Sequence, residues 1–162
     1  MVAMDSLVIF GEELKKMTTV IERLLADANA KGVFLIDKDG QLIASCGEVK
    51  DMDTTSLASL TAGNIAATGG LAKLIGEKEF SILFHEGEKD NMHISIVGQR
   101  VILVIIFDER SSLGLVRLRV KRASGELDAI LAKIVEKRAS TPPAKENLLV
   151  EITDEDIENL FQ

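Results

Sequence analysis

Apolar side chains recur every three or four residues through Leu14, Met17, Val20, Ile21, Leu24, Leu25 and Ala28, while Glu12, Lys15, Lys16, Glu22 and Arg23 fall between them. That spacing predicts an amphipathic helix over residues 12–30, ended by Gly32. Two short apolar runs follow, Val33 to Ile36 and Leu42 to Ala44, separated by Asp37-Lys38-Asp39-Gly40. Gly40 supplies the positive φ of a tight turn, so the runs form a β-hairpin.

Residues 53–76 predict a second helix, with Asp53 as N-cap and Gly76 as C-terminal stop. Leu57, Leu60, Leu71, Leu74 and Ile75 are the expected core face. Its interior is unusually small, with Ala58, Ala62, Gly63, Ala66, Ala67, Gly69 and Gly70. Each mid-helix glycine costs roughly 0.5–1 kcal/mol relative to alanine, so close approach of another backbone is the expected compensation.

Three strands are then expected, Phe80 to His85, Met92 to Val97 and Val101 to Phe107. Met92, Ile94 and Ile96 alternate with His93 and Ser95, as on a half-covered sheet. Val101 to Phe107 is apolar on both faces, which places it centrally with helices on either side. The last element runs from about Ser112 to Arg138. Leu127, Ile130, Leu131 and Ile134 make its second half helical, whereas Val116, Leu118 and Val120 alternate with Arg117 and Arg119 like a strand. The expected fold is α/β, three layers α/β/α, in the order α-ββ-α-βββ-α.

Charge divides the 162 residues into two parts. The net charge is −7, from 19 Lys and Arg against 26 Asp and Glu. From Lys145 onward a single lysine faces six acids (Glu146, Glu151, Asp154, Glu155, Asp156 and Glu158), a charge of −5, leaving −2 on the rest. Pro142-Pro143 mark the boundary. The expected organisation is a domain over 1–139 and, over 140–162, a proline-marked linker with an acidic tail. Within the tail, Thr153 and Asp156 resemble a capping box, and Ile157, Leu160 and Phe161 share one helical face. A helix so short needs something to dock on.

Composition excludes several functions. With no Trp, no Tyr and no basic stripe, the chain lacks the features of a nucleic-acid binder. A lone Cys46 forms neither a disulfide framework nor a cysteine zinc site, and fits a reducing compartment. The first ten residues lack the pattern of a secretory signal, and the seven-residue run at Val101 is too short to span a bilayer. A cytoplasmic protein without membrane insertion is expected.

Nothing predicts an active site. There is no phosphate-binding loop. His85 and His93 flank a hairpin and could face each other, but two histidines alone are weak evidence for a metal. Ser112, beside Asp108 and Glu109, reads as an N-cap rather than a nucleophile. No catalytic residue, metal or cofactor is assigned.

The order of elements and the small-residue second helix resemble the Roadblock/dynein light chain family, in its bacterial MglB-like branch of GTPase activators. The resemblance rests on DANAKGVFLIDKDGQLIAS, DTTSLASLTAGNIAATGGLAKLIGE, FHEGEKD, VILVIIFDERSSLGLVRLR and the terminal ITDEDIENLF. It implies a homodimer whose five-stranded, antiparallel-type sheets join edge to edge. The paired second helices would form a platform that binds a small Ras-like (MglA-like) GTPase in its GTP state, two protomers to one GTPase. It implies a role in gliding motility and cell polarity, and it reads residues 112–122 as helix.

On this likeness Thr55, Ser59, Ala62, Ala66, Gly70 and Lys73 are the expected GTPase contacts. Phe80, Ile82 and Phe84 are the expected dimer edge, since an unpaired apolar edge would otherwise aggregate. The tail, through Ile157, Leu160 and Phe161, is expected to dock on the partner and to affect nucleotide exchange. Arg100 and Arg110 are candidate arginine fingers, but the resemblance favours rearrangement of the GTPase's own catalytic residues. A non-catalytic scaffold or light-chain subunit is the alternative. A small-ligand sensor is disfavoured, because nothing polar converges on a cavity.

Overall fold

The structure is a computed structural model and describes residues 11–139. The tail residues Ile157, Leu160 and Phe161, and the boundary at residue 140, lie outside the described residues. The elements are α1 (Gly11–Asp27), β1 (Gly32–Asp37), β2 (Leu42–Gly47), α2 (Thr54–Leu74), β3 (Ile82–Glu86), β4 (Asn91–Val97), β5 (Val101–Phe107) and α3 (Leu113–Ala139). The five strands form one antiparallel sheet in the order β2-β1-β5-β4-β3.

β5 is the central strand, and all seven of its side chains are buried. Its alternation divides the core in two. Val101, Leu103, Ile105 and Phe107 point to one face, where Met17, Ile21 and Leu24 of α1 and Val116, Leu127 and Ile134 of α3 cover them. Ile102, Val104 and Ile106 point to the other, beneath Ala58 and Ile65 of α2. A strand buried on both sides has no polar face to present, which explains the unbroken VILVIIF run. Each such side chain contributes about 1.5–3 kcal/mol of transfer free energy.

The strand-like alternation at Val116, Leu118 and Val120 resolves as helix, because α3 starts at Leu113. The Ser112 hydroxyl accepts a hydrogen bond from Leu115 N at 3.2 Å, and Val116 N donates to Ser112 O at 3.0 Å. Val116 and Val120 lie one turn apart on the buried face, leaving Leu118 on the outside. α1 and α3 are joined by an ion pair between the Lys137 ammonium and the buried Glu13 carboxylate. Among the described residues, no helix is long and apolar enough to cross a membrane.

The bounds of β3 differ from expectation. The strand begins at Ile82, so Phe80 precedes it. Ile82 is 51 % exposed, but Phe84 packs into the α1/α3 core, its ring 6.1 Å from that of Phe107 at an interplanar angle of 22°. The outermost strand still needs one covered face, and Phe84 supplies it.

Candidate functional site

Among the described residues, α2 stands alone on its face of the sheet, and both of its ends are capped. Asp53 Oδ1 accepts from Ser56 N at 3.0 Å and Oδ2 accepts from the Ser56 hydroxyl at 2.6 Å. These bonds favour the ionised carboxyl and hold its pKa below the usual aspartate range. At the other end Gly76 takes φ +83°, while Gly76 N and Glu77 N bond Lys73 O and Ala72 O at 3.2 and 2.9 Å.

Contact with the sheet is made mostly by small side chains, with Ile65 the one large residue buried there. Ala58, Thr61, Ile65 and Ala72 are the buried residues of α2, with Leu57 and Ala62 partly covered beside them. This overturns the expected core face. Of the five large residues assigned to it, only Leu57 packs against the core. Leu60 is 74 % exposed, Leu71 58 %, Leu74 82 % and Ile75 69 %. Alanines let the helix lie close to the strands, whereas leucines on that stripe would hold it away. The large residues are therefore turned outward.

The expected contact residues share one side of this outward surface. Thr55, Ser59, Ala66, Gly70 and Lys73 are exposed or half-buried, and Ala62 is half-buried. Ala62, Ala66, Gly70 and Lys73 also line a groove of about 450 Å³ that includes Gly69, Lys38, Lys78 and Glu79. The Lys38 ammonium lies 3.9 Å from a Glu79 carboxylate oxygen across it. A Cβ built on Gly63, Gly69 or Gly70 would meet nothing within 4 Å, so no packing among the described residues requires these glycines. Beside the small-residue side lie Leu60, Leu71 and Leu74, which composition alone does not single out as surface.

The other candidates separate. His85 is exposed and its Nε2 lies 3.1 Å from Asn64 Nδ2 of α2. His93 is buried, and neither ring nitrogen has a hydrogen-bond partner among the described residues. In the β3–β4 register His93 pairs with Phe84, and His85 with Met92, so the two imidazoles project from opposite faces and do not meet. Among the described residues, no three His, Cys, Asp or Glu side chains are placed to hold a metal. Cys46 Sγ donates to Ile21 O at 3.4 Å, and burial pushes its pKa up to about 11, which makes it a poor nucleophile.

The two candidate arginines lie at opposite ends of the sheet. Arg100 is at the end where Asp37 pairs with Val101, and its carbonyl accepts from Lys38 N at 3.3 Å. Its backbone thus adjoins Lys38, a residue that lines the groove. Arg110 is at the far end, where its guanidinium bonds Asp108 at 2.9 Å and Glu48 at 3.3 Å. The Arg110 hydrogen bonds draw the Asp108 pKa down. Arg110 is thus already paired.

Comparison with known proteins matches the fold. The Roadblock/LC7 domain profile matches residues 16–107. The chain is similar to Myxococcus xanthus MglB, with 62% sequence identity, 79% of this chain and 96% of that one covered, and a TM-score of 0.75. The gliding protein mglB of Thermus thermophilus is 37% identical, with coverage of 79% and 97% and a TM-score of 0.75. A further MglB structure, described as a tetrameric arrangement, is 36% identical with coverage of 80% and 97% and a TM-score of 0.75.

Proposed function

The chain belongs to the Roadblock/LC7 family, and from that premise we propose that it is a homodimeric regulator of a small Ras-like GTPase of the MglA type, acting as an activator of GTP hydrolysis. The observation that carries this reading is the outward face of α2. It is capped at both ends, poor in side chains along Ala62, Ala66 and Gly70, and bordered by exposed leucines that no described residue covers. Monomeric proteins rarely leave a contiguous apolar surface without a use for it.

Two copies joined along the β3 edge, with their α2 helices side by side, present a single platform to the switch regions of the GTP-bound partner. The tetrameric arrangement of an MglB relative supports self-association as a property of this fold. The protein brings no catalytic group. Binding energy at the platform favours the hydrolysis-competent arrangement of the GTPase's own residues, a population shift that requires tighter binding to that state. The pairing of Arg110 with Asp108 and Glu48 supports this over a donated arginine. The tail forms a second contact with the GTPase and affects nucleotide exchange. The setting is cytoplasmic control of motility and polarity.

Single-turnover GTP hydrolysis by a purified MglA-type GTPase, with and without this protein, tests the reading. Acceleration is expected with the native chain, with Arg100→Ala and with Arg110→Ala. An arginine finger contributes about 10³–10⁵ in rate, so a loss of that order in either variant with binding intact overturns the finger-free mechanism. Ala66→Arg and Gly70→Arg are expected to abolish binding while leaving the protein folded. Binding without acceleration would make the chain a scaffold subunit.

A further inference from the structure

The outer face of α3 carries an unbalanced charge. From Leu113 to Gly125 the helix holds Arg117, Arg119, Lys121 and Arg122 and no acidic residue. The next acid, Glu126, already pairs with Arg23 and, at 3.6 Å, with Arg122. Arg117 and Lys121 are both exposed, and neither has an acidic partner among the described residues. They stand four residues apart on one helix, an arrangement in which like charges repel. Between them Leu118 is 62 % exposed. A cationic surface around an apolar side chain calls for an anionic segment with apolar anchors.

The chain contains one. Residues 151–161 carry Glu151, Asp154, Glu155, Asp156 and Glu158, with Ile157, Leu160 and Phe161 spaced as one helical face. The connection is also long enough. α3 runs on to Ala139, 21 residues beyond Leu118, or about 31 Å of helix. The 18 residues from Ala139 to Ile157 span up to about 60 Å when extended, enough to double back along α3 with slack.

We propose that the C-terminal segment 151–161 docks on its own chain's α3, its acids against Arg117 and Lys121 and its apolar side chains over Leu118. Anions settle the like-charge repulsion there, and the exposed leucine loses its contact with water. Seated on α3, the tail is unavailable to a GTPase, so partner binding would have to displace it. That consequence rests on the GTPase reading; the docking itself does not.

The chain has no tryptophan, so Phe161→Trp in the full-length protein places a single indole in the tail. Docking predicts blue-shifted emission protected from acrylamide, and loss of both in K121E, with circular dichroism unchanged. Raising the ionic strength to about 1 M, where screening acts within about 3 Å, should weaken protection without any substitution on α3. Emission of a fully exposed indole at low salt overturns the proposal. So does a shift caused by K73E but not by K121E, which would place the tail on α2. Co-expression with an excess of K121E chains lacking the probe should leave the indole protected; loss of protection means that the tail reaches another copy, and the proposal fails. No GTPase is present, so this result and the hydrolysis assay fail independently.

Discussion

A Cβ on Gly40 would stand 3.3 Å from the Cα of Ser59, so the β1–β2 turn and the first half of α2 approach backbone to backbone. Gly40 also holds φ +92°, a region that L side chains rarely adopt. The turn at one end of the hairpin thereby sets the height of α2 above the sheet. Gly40→Ala is expected to lower stability by about 1–2 kcal/mol through its backbone conformation alone. Urea unfolding followed by circular dichroism measures this, and an unchanged midpoint would mean that the positive φ of Gly40 does not penalise a side chain there.

The glycines inside α2 predict a trade between stability and binding. Nothing lies within 4 Å of a Cβ added at Gly69. Gly69→Ala is therefore expected to stabilise the free protein by about 0.5–1 kcal/mol through helix propensity. If the bare surface serves a partner, the same change weakens binding to the GTP-loaded GTPase. A variant that gains stability and binds unchanged would remove Gly69 from the interface.

Leu71 and Leu74 predict the oligomeric state. Both are more than half exposed on a helix that has no neighbouring helix on its side of the sheet among the described residues. A double Leu71→Ser, Leu74→Ser variant is expected to keep its fold and to shift from dimer toward monomer in light scattering. Should it remain fully dimeric at micromolar concentration, the α2 leucines lie outside the dimer contact.

His93 predicts a pH dependence. It is buried on β4 with both ring nitrogens unpartnered among the described residues, and burial, then the Arg117 guanidinium, holds its pKa below 6.5. The unfolded chain therefore takes up the proton first. Stability is complete above the unfolded pKa and falls as pH drops through it. The urea midpoint should decline between about pH 7.5 and 5.5, above the range where Glu13, Asp53 and Asp108 titrate. His93→Leu should flatten that decline, and an equal slope in both proteins would place the effect elsewhere.

Much of the fold is legible in the residue pattern. The order of elements, the Asp53 cap, the positive φ of Gly40 and the burial of β5 on both faces all follow from local rules, because each depends on a few neighbouring residues. The start of α3 does not, since Val116, Leu118 and Val120 alternate like a strand and only the Ser112 cap and the α1/α3 core decide for helix. The two histidines look like partners along the chain, and the β3–β4 register places them on opposite faces.

The residue pattern alone settles the order of elements, the Asp53 and Gly76 ends of α2, the separate acidic charge of the C-terminal segment and the presence of a small-residue helix. Packing decides which side of that helix faces outward. α2 is apolar or small nearly all round, so no amphipathic stripe marks its inner face. Against the sheet α2 packs Ala58, Thr61 and Ala72 around the single large buried side chain Ile65, at the close approach that Gly40 and Ser59 show, and Leu60, Leu71 and Leu74 are left at the surface.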